Sequence, residues 1–220
     1  MRPFRAEGAL RFSYQGSKES GDLVLQAGDH GAYRLQLLAP ITGAVLLDVG
    51  FDQNRLRVLD YGSKTRLEER NTPAVRQRLF GVDLTPEEFQ VLFTGRVDGS
   101  SFTPVPQDSA AANPADPGWL RFAAENAQHR FRLNPQGLPE AWEKWEGGRM
   151  AYRVLFVTYA AYAAGTQALW LPRSAKLYQE GQEAPVLVLG IRLFSPGTGA
   201  DADLEVLPAG AEDLQRVYLR

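Results

Sequence analysis

The sequence predicts a mainly β protein in which one strongly curved antiparallel sheet, or partial barrel, is covered by two short helices. Three observations predict this class. Apolar and polar residues alternate through the first sixty positions, similar segments recur along the rest of the chain, and only two short stretches carry helix-start signals. About a dozen strands can be read, and sheets of more than roughly ten strands tend to curl.

Turn-forming residues separate five strands in the first part of the chain. In the third of them Tyr33, Leu35 and Leu37 point to one side while Arg34 and Gln36 point to the other. The sheet is therefore expected to have one apolar face and one polar face. The five predicted strands are roughly Glu7–Tyr14, Asp22–Gln26, Ala32–Leu38, Ala44–Val49 and Arg55–Asp60, with a turn predicted over residues 16–21 between the first two.

Two short helices are predicted in the middle of the chain. The first has Thr72 as its N-cap and runs to Phe80. The second runs from the N-cap Thr85 to Thr94, and Glu88 completes a capping box with Thr85. Helices placed between runs of strands can cover the open face of a sheet, so we expect these two to act as a lid.

The remainder of the chain is predicted to be a loop followed by further strands, all within a single domain of residues 1–220. Residues 98–117 are rich in Ser, Ala, Pro, Asn and Asp, a composition typical of a mobile loop. The later strands are predicted at Gly118–Ala124, His129–Leu133, Ala141–Trp145, Ala151–Ala160, Ala168–Trp170, Ala175–Glu180, Val186–Phe194 and Ala202–Val206.

Composition excludes several classes of function. The chain has no cysteine and only two histidines, His30 and His129, so thiolate chemistry and nearly every zinc site are excluded. A net charge of −2 provides no basic face for nucleic acid. No nucleophile–base pair or phosphate loop can be assembled, and no apolar run reaches the roughly 18 residues of a membrane span. The sequence predicts a protein that is not an enzyme and has no cofactor.

Apolar side chains of the sheet face and the helices have two interpretations. They can form an ordinary filled core, the usual meaning of such residues at helical spacing. They can also line a cavity for an acyl chain, because a sheet curved around short helices need not fill itself. The predicted cavity residues are Leu35, Leu37, Leu46, Leu56, Val58, Phe80, Phe89, Leu92 and Phe93.

The predicted turn at Pro40 and Ile41 is unusually apolar for a hairpin tip. It can be an ordinary proline turn with an incidental apolar residue, since single exposed apolar side chains are common. It can also be an apolar tip that contacts lipid.

Three segments resemble the LolB lipoprotein-receptor family within the group of LolA/LolB-like carriers. Residues 33–43 resemble the family's strand and hairpin, residues 79–95 resemble its helical lid, and residues 171–177 resemble a later strand entry. The chain departs from the family pattern at Ala39 and Thr42-Gly43, where the family has Asn and a direct Gly.

The resemblance implies an unclosed antiparallel β-barrel, lidded by helices, whose apolar cavity accepts the acyl chains of lipoproteins. It implies a monomer that receives lipoproteins from a periplasmic LolA-like carrier or inserts them into the inner leaflet of the outer membrane. Ile41 occupies the place of the family's membrane-inserting leucine. The family is anchored at the periplasmic face of that membrane by an N-terminal lipidated cysteine, so a signal and an anchor cysteine would precede Met1.

A second interpretation is a non-catalytic structural or interaction module of a bacterial envelope complex, in which the sheet and the helices close on a filled core. A dry interior without a cavity beneath the helices would favour this alternative.

Overall fold

The computed structural model describes residues 3–14, 17–28, 31–97, 99–105, 118–124, 126–164, 167–197 and 211–217. The predicted strand Ala202–Val206, His30, and residues 98 and 106–117 of the predicted mobile loop lie outside these ranges.

Over these described residues the protein consists mostly of one curved sheet of 14 strands. Its strands are β1 (Phe4–Tyr14), β2 (Ser17–Ala27), β3 (Tyr33–Leu38), β4 (Val45–Phe51), β5 (Arg55–Asp60), β6 (Thr65–Arg70), β7 (Thr103–Pro104), β8 (Trp119–Ala124), β9 (Ala127–Leu133), β10 (Pro139–Glu146), β11 (Arg149–Ala164), β12 (Gln167–Gln179), β13 (Leu187–Pro196) and β14 (Gln215–Val217). The helices are α1 (Pro73–Phe80) and α2 (Pro86–Thr94), and a short 3-10 turn spans Ala211–Asp213.

The strand order is β14-β6-β5-β4-β3-β2-β1-β13-β12-β11-β10-β9-β8-β7. Two meanders of hairpins, β1 to β6 and β7 to β13, join where β1 pairs with β13, from Phe4 opposite Pro196 to Phe12 opposite Leu187. All neighbours are antiparallel except β14, which runs parallel to β6. β14 and β7 lie at opposite edges of the order, so the barrel is not closed over the residues described. The predicted fold class is confirmed.

Both helices have the predicted boundaries. The Thr72 side chain accepts a hydrogen bond from the backbone N–H of Val75, and α1 ends at Gly81, whose φ of 70° is left-handed. At α2, Thr85 and Glu88 form the capping box.

One predicted strand boundary is wrong, and one strand was not predicted, for the same physical reason. β2 begins at Ser17, so residues 17–21 belong to a strand rather than to the predicted turn. The sequence shows no β6 because Leu67 is its only buried residue. A segment with both faces largely exposed has no alternating pattern that would reveal it as a strand.

The predicted break between residues 170 and 175 does not exist, since β12 runs continuously from Gln167 to Gln179. Pro172 lies opposite Tyr159, next to an irregularity in the pairing of β11 with β12. Proline is tolerated at such bulges because the ladder is already interrupted there.

Aromatic rings fix α2 against the inner face of the sheet. Phe51 contacts Tyr33 and Phe89 with ring centroids 5.2 and 4.9 Å apart, and Phe89 lies 4.9 Å from Phe93. Burial of each such side chain contributes roughly 1.5–3 kcal/mol to folding. This packing places α2 above β3 and β4, where the candidate site lies.

Candidate functional site: two cavities beneath the helices

An apolar cavity of about 50 Å³ lies between the inner face of the sheet and the two helices. Arg76 is the only charged residue among its described lining residues. The cavity is lined by Leu10, Phe12, Leu35, Val49, Phe51, Leu56, Arg76, Phe80, Val82, Leu84, Phe89 and Leu187.

Four of the nine predicted cavity residues line this space: Leu35, Leu56, Phe80 and Phe89. Val58, Leu92 and Phe93 are buried in the surrounding core.

Leu37 and Leu46 line a different cavity, of about 260 Å³, formed with Glu19, Leu47, Asp60, Gly62 and Ser63. Leu46 is the extra residue of a bulge, because Leu37 pairs with Leu47 and Leu38 pairs with Val45. The sequence does not reveal this bulge. The prediction therefore grouped Leu46 with the residues of the apolar cavity, which it does not line.

Sequence reasoning missed several residues that line the apolar cavity. Leu10 and Phe12 alternate with Arg11 in β1, a pattern that could have identified them. Leu187 lies in β13, which pairs with β1 although the two strands are far apart in sequence. No local signal could have placed it beside Phe12.

The apolar cavity is too small for an acyl chain in this conformation. Cavities that hold small-molecule ligands are usually about 300–1,000 Å³. A chain could therefore enter only if a helix moved away from the sheet.

An apolar contact and a hydrogen bond hold α1 and its C-terminal end over the sheet. The rings of Phe80 and Phe12 lie 6.1 Å apart. The side chain of Gln179 in β12 donates a hydrogen bond to the backbone carbonyl of Gly81, just after the helix. Arg76, the buried cation of α1, donates instead to Asp83 and Asn71 beside the same helix.

A second cavity, of about 560 Å³, lies beneath the same helices; we call it the polar cavity for its charged side chains, although its surface is about equally polar and apolar. The sequence predictions did not include it. It is lined by Pro73, Arg76, Asp83, Thr85, Glu87, Glu88, Ser101, Phe102, Ala124, Asn126, Ala127, His129, Lys144, Glu146 and Gly147.

A buried ion pair between Glu88 of α2 and Lys144 of β10 forms one wall of this polar cavity. Lys144 Nζ lies 3.0 Å from Glu88 Oε1, and both side chains are at least 95% buried, with exposures of 5% and 3%. Lys144 Nζ is also 3.0 Å from Glu146 Oε1 and 3.7 Å from Asp83 Oδ2. Glu88 Oε2 accepts a hydrogen bond of 2.8 Å from the backbone N–H of Thr85. Glu88 therefore caps α2 and ties it to the sheet.

Burial and pairing act against each other in this ion pair. Burial raises the pKa of Glu88, and the ammonium of Lys144 opposes that rise. Burial alone would lower the pKa of Lys144, but the carboxylates of Glu88 and Glu146 outweigh it and raise the pKa. The ammonium form of Lys144 is thus stabilised by its neighbours.

His129 is buried beside the ion pair in its neutral form. Its Nδ1 accepts a hydrogen bond of 3.1 Å from Trp142 Nε1, so the ring proton is on Nε2, which lies 3.7 Å from Glu88 Oε1. Burial, with Lys144 nearby, lowers the pKa of His129 to about 4. His129 is therefore uncharged at neutral pH.

Arg76 lines both cavities. Its Nε donates a hydrogen bond of 2.6 Å to Asp83 Oδ1, and its Nη1 donates one of 2.8 Å to Asn71 Oδ1. The apolar and polar spaces adjoin at this side chain.

The β3–β4 hairpin tip projects Ile41 into solvent with 97% of its surface exposed. The turn closes by a hydrogen bond of 2.8 Å from the N–H of Ala39 to the carbonyl of Ala44, and Gly43 has a φ of +67°. Residues 40–44 are exposed and uncharged. The tip is thus a small apolar projection on an ordered hairpin.

No helix among the residues described is both long and apolar enough to cross a bilayer. Over the same residues, no group of three or more His, Asp or Glu side chains is arranged to hold a metal ion.

Comparison with known proteins identifies the fold. The chain matches no family model and no curated protein sequence. It is similar to a protein domain from Vibrio parahaemolyticus assigned to outer membrane lipoprotein sorting, with a TM-score of 0.56 at 10% identity over 90% of this chain and 86% of that one. It is also similar to a DUF1329 family protein from Desulfovibrio piger, with a TM-score of 0.57 at 10% identity over 90% of this chain and 87% of that one.

A LolA superfamily protein from Nitrosomonas europaea is similar as well, with a TM-score of 0.52 at 10% identity over 88% of this chain and 86% of that one. At these identities the likeness establishes a shared fold. The chain therefore has the fold of the LolA-like proteins, an unclosed β-barrel with helices on its inner side.

Proposed function

We propose that this protein binds the acyl chains of lipoproteins between its sheet and its helices and delivers them to the outer membrane without covalent chemistry. The observation that carries the proposal is the apolar cavity covered by α1 and α2. In this role the protein is a monomer at the periplasmic face of the outer membrane, lipid-anchored in its native form. It receives its cargo from a LolA-like carrier.

The free energy gained when an acyl chain moves from water into the apolar cavity is large enough to separate α1 from the sheet. Burial of an acyl chain yields about 0.8 kcal/mol per CH₂, so a chain of about 16 carbons yields roughly 12 kcal/mol in total. Separating α1 from the sheet exposes a few side chains such as Phe80, which costs roughly 1.5–3 kcal/mol for each one fully exposed. Burial of a chain taken from water therefore outweighs the cost of opening.

Ile41 is proposed to insert into the inner leaflet of the outer membrane during delivery. A fully exposed apolar side chain at an uncharged tip gains free energy when it enters the acyl boundary of a bilayer. The adjacent Pro40 stiffens the turn that presents it.

Displacement of an uncharged fluorescent probe tests the binding step. We expect a palmitoylated tripeptide to displace bound 1-N-phenylnaphthylamine, and the same peptide without palmitate to leave it bound. Val49→Phe fills part of the apolar cavity and should weaken palmitoyl-peptide binding about tenfold, a loss of about 1.4 kcal/mol.

Val157→Phe is the matched control, since Val157 is 53% exposed on β11. It should leave the affinity unchanged. Thermal unfolding of both variants shows whether Val49→Phe remains folded. If no palmitoyl peptide displaced the probe from the folded wild-type protein, the binding role would be refuted.

Liposome delivery tests the hairpin tip separately. Ile41→Asp should reduce transfer of a bound palmitoyl peptide to liposomes severalfold while leaving peptide affinity intact, because a carboxylate at the tip resists entry into the bilayer. Gln136→Asp, at the exposed β9–β10 turn, is the control and should have no effect. Equal transfer by Ile41→Asp and wild type would remove the role assigned to Ile41.

The small size of the apolar cavity favours a second candidate, a non-catalytic structural or interaction module of an envelope complex. In that case the 50 Å³ space is a packing defect of a filled core. This candidate predicts no displacement of the probe by any acylated peptide.

A further inference from the structure

The polar cavity adjoins the space proposed to hold the acyl chain. Both spaces lie beneath α1 and α2, and Arg76 contributes to the lining of each. At about 560 Å³ the polar cavity falls in the size range of ligand sites. It therefore has room for a polar group attached to a chain in the apolar cavity.

Carboxylates outnumber cations in the polar cavity. Its described lining contains Asp83, Glu87, Glu88 and Glu146 against the two cations Arg76 and Lys144. His129 adds no positive charge at neutral pH, because burial lowers its pKa to about 4. A cleft lined by an excess of one sign of charge concentrates the opposite sign.

Both cations are already engaged by carboxylates, of which Glu88 is buried and Asp83 is partly exposed. Arg76 Nε lies 2.6 Å from Asp83 Oδ1, and Lys144 Nζ lies 3.0 Å from Glu88 Oε1. An entering anion would have to separate these pairs and leave a carboxylate without its counter-ion, which is costly at a buried site.

An entering cation, in contrast, meets two carboxylates that still have acceptor sites. Glu87 lines the cavity, and its hydrogen-bond partner among the described residues is a neutral donor, Gln53 Nε2, at 3.0 Å. Glu146 lies at a more open part of the wall, with 49% of its side chain exposed. Each of these carboxylates retains acceptor sites for an N–H donor.

We propose that the polar cavity binds a positively charged nitrogen group, ammonium or guanidinium, carried next to the acyl chain of the ligand. This inference rests on the proposed function, since it takes the chain to lie in the apolar cavity. The charged nitrogen can come from a basic residue close to the acylated end of a lipoprotein or from the ethanolamine of a phospholipid.

Matched palmitoyl peptides test the charge preference. Three palmitoylated tripeptide amides carry lysine, glutamine or glutamate at the second position, and each is titrated against bound 1-N-phenylnaphthylamine. We expect the lysine peptide to bind about tenfold more tightly than the glutamate peptide, with the glutamine peptide between them.

Substitutions that replace a cavity carboxylate by an amide show which residues cause the preference for a positive charge. Glu87→Gln and Glu146→Gln should each reduce the lysine-to-glutamate ratio severalfold, with the affinity for the glutamine peptide unchanged. Glu183→Gln, at an exposed position outside the cavity, is the matched control and should keep the wild-type ratio. Both cavity positions are partly exposed, so these variants are expected to fold.

Lysophosphatidylethanolamine and lysophosphatidylglycerol distinguish the two sources of the charged nitrogen. A preference confined to the peptides assigns the group to a lipoprotein, and a preference for the ethanolamine lipid assigns it to a headgroup. Equal affinities within both sets, or tighter binding of the anionic ligands, would overturn the inference while leaving acyl binding intact. If no acylated ligand displaced the probe, the proposed function itself would fail.

Discussion

The two cavities lie under the same helices but differ about tenfold in volume. The apolar cavity measures about 50 Å³ and the polar cavity about 560 Å³. Apolar walls gain free energy by closing on one another, as Phe12 and Phe80 do. Charged walls lose free energy when they are dried, so the polar space stays open. Under the proposed function, the small apolar cavity is a closed form that an acyl chain opens.

The two helices also differ in how they are attached to the sheet. α2 is tied to the sheet by the buried pair of Glu88 with Lys144 and by the contacts of Phe89 with Tyr33 and Phe51. α1 has no buried ion pair to the sheet among the described residues: it rests there through apolar contacts and the hydrogen bond from Gln179 to the carbonyl of Gly81, and its buried Arg76 bonds to residues beside the helix. We infer that α1 is the helix that moves when a chain enters, while α2 stays in place.

The largest effect is expected when the polar attachment of α2 is broken. Lys144→Met leaves the carboxylate of Glu88 buried without its counter-ion, and should lower the free energy of unfolding by about 3–5 kcal/mol. Urea unfolding with linear extrapolation measures this loss. The double variant Lys144→Met with Glu88→Gln should recover part of it, because the buried negative charge is removed.

A pair at the surface provides the control for this experiment. Arg5 pairs with Glu7 at 3.0 Å, and 40% and 39% of the two side chains are exposed. Arg5→Met should cost only about 1 kcal/mol or less. If Lys144→Met cost no more than Arg5→Met, the attachment of α2 through Glu88 would be of no energetic importance.

The next effect concerns the pH dependence of stability. The pKa of His129 is about 4 in the folded protein and 6.5 in its unperturbed state, so the unfolded chain binds more protons between these values. Stability from this group is therefore fully present above about pH 6.5 and is lost as the pH falls toward 4, by about 3 kcal/mol in all.

His129→Gln keeps a side-chain acceptor near Trp142 Nε1 but cannot titrate. Its unfolding free energy should change less than that of the wild type between pH 7 and pH 4, as measured by urea unfolding at several pH values. Glu88, whose pKa is raised by burial, titrates in both proteins, so the difference between the two curves isolates His129. Identical slopes would show that His129 is not buried in its neutral form.

The smallest effect is expected at the N-cap of α2. Thr85→Ala removes the side-chain acceptor for the N–H of Glu88 and should cost about 1 kcal/mol in urea unfolding. Thr72→Ala does the same at α1 and is the matched comparison. A loss near zero for Thr85→Ala would mean that the side-chain hydroxyl adds nothing to the hold that Lys144 and the backbone N–H of Thr85 have on Glu88.

Sequence reasoning succeeded where the signal is local. The caps at Thr72 and Thr85 fixed both helices, because a side-chain acceptor and a following glycine define helix ends within a few residues. The alternation in β3 correctly placed Leu35 on the inner face. The exposed apolar tip at Ile41 could be read directly from its turn residues.

It failed where the arrangement depends on contacts between distant segments. The polar cavity joins Glu88 of α2 to His129 of β9 and Lys144 of β10, which meet only because the sheet curves around α2. No spacing in the sequence indicates that these residues are close together. Isolated charged residues look like solvated surface until tertiary packing buries them.

Calorimetric titration with a palmitoylated tripeptide tests the central claim most directly, because it needs no probe. Opening of the apolar cavity for one acyl chain predicts saturable binding of one peptide per protein, with a negative heat-capacity change from burial of the chain and no binding of the unacylated peptide. The absence of saturable binding, or equal heats from the acylated and unacylated peptides, would contradict the claim that this fold opens to hold an acyl chain.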